Sequence, residues 1–132
     1  MELDTSHLKI SVGDLVNFVH HAGDLTYETS TYGKNRKLEG IRLHKKIQKL
    51  RKSQYKDYQP ELTVTETFDL DDDLNISLRG RIDGAWNIES ENFLEEIKSI
   101  STTYLELKPN AQKGHWAQVK IYGAMFCHQN NL

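Results

Sequence analysis

Apolar residues recur along this chain with two periods. In "SVGDLVNFVHH", Leu15 lies three and four residues from Phe18 and Val19, which predicts a short helix with that stripe inward and Ser11 as its N-cap. "TYETSTYGKN" is a polar connection containing Gly33. "RKLEGIRLHKKIQKLRKSQ" returns to helical spacing and predicts a basic helix burying Leu43, Ile47 and Leu50. The period then changes to two. "ELTVTETFDLD" alternates through Leu62, Val64 and Phe68, "DLDDDLN" is a turn, and "ISLRGRIDGAWNI" sets Ile76, Leu78, Ile82 and Trp86 on one face. "ESEN" turns into a third strand, "FLEEIKSI". A loop with Pro109 and Gly114 leads to a last helix, "HWAQVKIYGAMFC". The order helix, helix, three strands, helix predicts an α+β domain around an antiparallel meander. No strand follows the last helix, and the expectation is a domain spanning residues 1–132 that belongs to a longer protein.

Composition narrows the class. With 132 residues, 37% hydrophobic and 27% charged, the chain reads as one small soluble domain. No apolar run approaches the roughly 20 residues that cross a membrane, so no membrane partner is expected. "MELDTSHLKI" lacks the basic and apolar regions of a secretory signal. The single cysteine, Cys127, excludes an internal disulfide and a four-cysteine metal site. Together these point to a cytoplasmic, reducing location. The net charge of −2 gives no global attraction to nucleic acid, but its distribution is uneven. From Lys34 to Lys56 there are ten Lys and Arg against one acid, Glu39, whereas Asp57 to Glu96 holds twelve acids. Two solvated faces of opposite sign account for this as simply as a binding surface does.

The chemistry gathers on two strands and two helices. Glu96 and Lys98 leave the same side of a strand, and strands seldom bury such groups unpaired. If the second and third strands form a hairpin, Asp83 and Glu96 approach closely enough to share one hard divalent cation. Lys98 would then orient a water or stabilise charge on a phosphate. An isolated E-x-K is also the signature of a surface ion pair. His44, one turn after Gly40, sits at the edge of the basic helix's inward face, either as a packed histidine or as a further ligand. In the last helix His115, Gln118 and Tyr122 form a polar stripe, with Trp116 and Val119 elsewhere on the wheel.

The series G-x-x-x-H (Gly40, His44), G-R-I-D (Asp83), E-x-K (Glu96, Lys98) and Q-x-x-x-Y (Gln118, Tyr122) resembles the RecB-like branch of the PD-(D/E)XK nucleases, from about Ser11 to Phe126. The wording "LEEIKS…HWAQVKIYG" is most similar to the nuclease-like domain ahead of XPD/DinG-like DNA helicases. The resemblance implies a restriction-endonuclease-like fold and a Mg²⁺- or Mn²⁺-dependent DNA nuclease, with a helicase motor in the same or a partner chain. Residue by residue, it implies that His44, Asp83 and Glu96 bind the metal with the carbonyl of Ile97. Lys98 is the catalytic lysine, and Gln118 and Tyr122 orient the site and the DNA backbone. Two departures stand out. The iron–sulfur cluster of some relatives needs four cysteines, so none is expected here, and the strand that usually follows the Q-x-x-x-Y helix is absent. The alternative is a nuclease-like domain that grips DNA or docks a helicase without cutting. An unrelated α+β interaction module would require four coincident motifs.

Overall fold

A computed structural model describes residues 6–20, 31–100 and 109–132. Its elements are β1 (Ser6–Ser11), α1 (Val12–Val19), α2 (Thr31–Gln54), β2 (Gln59–Asp71), β3 (Leu74–Ile88), β4 (Glu91–Glu95) and α3 (Pro109–Gln129). The architecture is α+β, a mixed four-stranded sheet flanked by helices. No helix among the described residues is long and apolar enough to cross a membrane.

The β2–β3–β4 meander forms as its alternation predicts, with both pairings antiparallel. β1 is the difference. It pairs parallel to β3 from Ser6 opposite Leu74 to Ser11 opposite Arg79, and its six residues, with only Leu8 and Ile10 apolar, carry little signal of their own. β3 is 15 residues long and is shared along one edge by two partners. β1 covers it up to Arg79, and β4 covers it from Gly84, opposite Glu95, to Ile88. Among the described residues, Gly80 to Asp83 therefore have β2 on one side and no strand on the other. This notch in the sheet edge is where the candidate site lies.

α1 and α3 cover one face of the sheet. Val12, Val16, Val64, Leu78, Ile82, Tyr122 and Met125 form the buried core, with Ile10, Leu15, Leu62, Leu94 and Phe126 packed around it. Ser11 ends β1 and caps α1, its hydroxyl accepting from Asp14 N–H at 3.0 Å. Gly114 sits within α3, where an added Cβ would touch Val16, so this glycine serves a helix contact.

Several expectations change. The buried stripe of α1 is Val12, Leu15 and Val16, while Phe18 and Val19 are 84% and 64% exposed because only the first turns of the helix meet the core. Of the three α2 residues expected to be buried, Leu43 and Leu50 are exposed and Ile47 is half-buried. That helix meets the sheet near Asp83 instead of lying along it. Of the polar connection, Thr31–Asn35 is already helical, and the part before it lies outside the described residues. Phe68, at the far end of β2, is exposed. Trp86 leaves the core to stack with Tyr55 and Phe93, at ring separations of 5.0 and 5.5 Å. Pro109 and Gly114 are helical, Pro109 as the first residue, where its missing N–H costs nothing. The third strand ends at Glu95, so Glu96, Ile97 and Lys98 follow it outside the ladder.

Gly80 is held by its neighbours. A Cβ there would come within 3.0 Å of Val12 Cγ2 and of Tyr122 Cδ1. Gly80→Ala is expected to lower stability by about 1–3 kcal/mol through overpacking. Gly123, in α3 with nothing within 4 Å of its would-be Cβ, is the internal contrast. Gly123→Ala should raise stability by up to about 1 kcal/mol on helix propensity alone. Urea midpoints of the two variants check both; equal shifts in one direction contradict this packing.

Candidate functional site

Where the ladder stops, side chains take over. Asp83 lies in the notch, and its Oδ2 accepts the backbone N–H of Ile97 at 2.7 Å. The carboxylate thus takes the place of a strand partner and carries the chain after β4 past Asp83. The Asp83 carbonyl accepts Gln48 Nε2 at 2.9 Å and the Tyr58 hydroxyl at 3.4 Å. A brace stands beside it. Glu95 accepts Tyr58 Oη at 2.8 Å and Arg51 Nε at 3.0 Å. Burial first, then the Glu95 carboxylate, pushes the Tyr58 phenol well above its ordinary value, so Tyr58 remains a neutral donor.

Glu96 is the least satisfied group of the site. Its side chain is 6% exposed; Oε1 pairs with Lys98 Nζ at 2.6 Å, and Oε2 is buried without any hydrogen-bond partner. Burial is the main cause that raises its pKa, and the adjacent Asp83 carboxylate adds to it, against the opposing pull of Lys98. The E-x-K pair of the sequence is therefore an ion pair, but one with its carboxylate in the interior and not on an open sheet face. His44 Nδ1 stands 3.7 Å from Asp83 Oδ1. On α3, Gln118 Nε2 donates to Tyr122 Oη at 3.1 Å. Burial, and then the Lys98 charge, lowers the pKa of His115 and favours its neutral form.

A cleft of about 860 Å³ opens at the notch. His44, Asp83, Glu96, Lys98, Gln118 and Tyr122 all line it; Ile97 does not, and its side chain is buried. Tyr122 reaches the cleft from within the core, and Trp116 is 62% exposed outside it. Among the described residues no three His, Cys, Asp or Glu side chains converge as a ready-made metal cluster. The two adjacent carboxylates with one orphaned oxygen nevertheless fit a hard cation that keeps several waters, since such an ion needs only one or two carboxylates from the protein.

Sequence reasoning missed the brace and part of the wall. Gln48, Arg51, Tyr58 and Glu95 act through the Asp83 backbone and the exit of β4, and no local pattern marks that role. Lys9, Arg79 and Arg81 also line the cleft. The two arginines alternate with Leu78 and Ile82 and share the parity of Asp83, a signal already present in "LRGRID". Comparison with known proteins adds no constraint: no protein-family model matches the chain, and no curated protein or solved structure matches it.

The raised pKa of Glu96 has a definite sign for stability. Folding favours its protonated form, so its contribution is fully present below the ordinary carboxylate value and is lost as pH rises through the raised one. Ionisation of the side chain therefore opposes folding. Glu96→Gln gives Asp83 a donor in place of the orphaned oxygen and is expected to stabilise the metal-free protein by about 1 kcal/mol, roughly 3–6 °C. It should also flatten the decline above the ordinary carboxylate range. Thermal melts across pH check this; a Glu96→Gln melting temperature below wild type at neutral pH contradicts it.

Proposed function

We propose that this chain is a divalent-cation-dependent nuclease domain that hydrolyses DNA phosphodiesters. The observation that carries the reading is the half-buried Asp83–Glu96 pair, with a buried, unpartnered Glu96 oxygen, beside Lys98 in an open cleft. Two close carboxylates and a buried lone pair are costly without a cation, and the charge pattern around them suits an anionic substrate. Asp83 and Glu96 would hold Mg²⁺ or Mn²⁺, with His44 and the Ile97 carbonyl as the further ligands implied by the resemblance. The ion would supply an acidified water and positive charge for the phosphate.

The chain's own residues do the rest. Lys98, released from Glu96, directs its ammonium at a non-bridging phosphate oxygen, where charge develops in the transition state. Tyr122 Oη, held by Gln118, presents a hydroxyl to the same space. Cations of α2 contact neighbouring phosphates and set the register of the strand without reading bases. A role in DNA repair, recombination or helicase-coupled processing, with a helicase motor in the same or a partner chain, belongs to this proposal, as do the restriction-endonuclease-like topology and a cytoplasmic location. One observation favours a second reading: Lys98 is bound to Glu96 at 2.6 Å, neutralising the carboxylate a cation would need. A domain resting in that state would grip DNA or dock a helicase without cutting.

The full-length protein is expected to cut DNA with Mg²⁺ or Mn²⁺, and Ca²⁺ is expected to raise its melting temperature without supporting cleavage. Lys98→Ala should slow cutting by about 10²–10³-fold while keeping the Ca²⁺ shift, because loss of one preorganised donor costs that much. Asp83→Ala should lose both. Asp83→Asn, which retains an acceptor for Ile97 N–H, separates loss of cation binding from loss of fold. Cutting that is unchanged in Lys98→Ala overturns the mechanism, and no cutting by wild type with either metal promotes the non-cutting reading.

A further inference from the structure

Among the described residues, the sheet face opposite the core is open over most of its length. α2 approaches it near Asp83, and the remainder carries polar side chains. Arg79 and Arg81 stand here, alternating with buried Leu78 and Ile82, and Lys9 joins them from β1, next to Ile10, which packs on the core. Thr65 and Thr63, the register partners of Arg79 and Arg81, add hydroxyls to the same face. Lys9, Arg79 and Arg81 are exposed, and all line the cleft that holds Asp83. The neighbouring cations Arg51 and Lys98 are each tied to a carboxylate. Lys9, Arg79 and Arg81 make no ion pair or side-chain hydrogen bond with any described residue. Three unpaired like charges on one strip of surface repel one another, and an anion laid along the strip removes that cost.

We propose that Lys9, Arg79 and Arg81 form a phosphate track for a single DNA strand, which crosses the open sheet face and enters the cleft between the β1–β3 wall and α2. The proposal rests on the nuclease reading for the identity of the strand, and not on any cutting. The strand is single because the cleft, at about 860 Å³, is the size of a small-molecule site and admits a few nucleotides of one strand. The track is separate from the basic surface of α2, so the strand is held from both walls of the cleft.

The test is binding of a short single-stranded DNA oligonucleotide to the full-length protein in EDTA, read by fluorescence anisotropy over a range of salt. Changing Lys9, Arg79 and Arg81 together to Gln is expected to weaken binding at least about tenfold. It should also lower the slope of log affinity against log salt by about 2, or about 0.7 for each lost contact to a single strand. Arg81→Gln alone should lower the slope by about 0.7, while Lys120→Gln, which removes the same charge from an exposed position on α3 outside the cleft, should leave it unchanged. Far-UV circular dichroism confirms that each variant is folded, as expected for exposed side chains. An unchanged affinity and slope in the triple variant overturns the track, and so does tighter binding of the duplex than of the single strand. Cutting is not measured here, so a protein that binds through these residues yet never cleaves DNA upholds the track and defeats the nuclease reading.

Discussion

The hydrogen bond from Ile97 N–H to Asp83 Oδ2 organises this molecule. A strand that leaves its ladder inside a folded protein must find other partners for its backbone, because an orphaned buried N–H costs as much as a lost hydrogen bond. Here the partner is a carboxylate, and that choice has two effects. It draws the segment after β4 alongside the gap in β3, and it fixes one oxygen of Asp83 as an acceptor. The other oxygen is left facing His44. Gln48 and Tyr58 secure the Asp83 carbonyl, so main chain and side chain of one residue are held from different elements. The notch is therefore a built feature, stabilised by the residue that gives it its chemistry.

The two carboxylates of the cleft are unequal for the same reason. Asp83 has a backbone donor, whereas Glu96 has only the flexible ammonium of Lys98 for one oxygen and nothing for the other. Burial and proximity to Asp83 act on Glu96 in the same direction, and Lys98 offsets part of their effect. Lys98 is thus both a counter-ion in the resting structure and the side chain best placed to reach an incoming anion. Those two tasks compete for one charge. A cation arriving beside Glu96 would release the lysine, which couples loading of the site to availability of the ammonium.

What could be read from the sequence follows the range of the interactions involved. The helices and the meander are local patterns, and alternation or caps such as Ser11 reveal them. Asp83, Glu96, Lys98, Gln118 and Tyr122 stood out because their residue types conflict with the surrounding pattern, charges in or just beyond a strand and a polar stripe on a helix. Leu43 and Leu50 misled because helical spacing says which residues share a face, not whether anything covers it. The brace of Tyr58, Glu95 and Arg51 was invisible, since Glu95 meets its two partners across 37 and 44 positions of chain. β1 was invisible for a stronger version of that reason, as its pairing with β3 leaves no trace in either segment alone.

That pairing also imposes an order of assembly. Ser6 finds its partner in Leu74, and β1 has no described neighbour in the sheet other than β3. Closing so long a loop is entropically unfavourable until the receiving edge exists, and the antiparallel hairpins β2–β3 and β3–β4 close far shorter ones. Of the four described strands, the first in sequence is thus among the last to be seated. One wall of the cleft is absent until it docks, so a nascent or partly unfolded chain would carry both carboxylates without an enclosed place to use them.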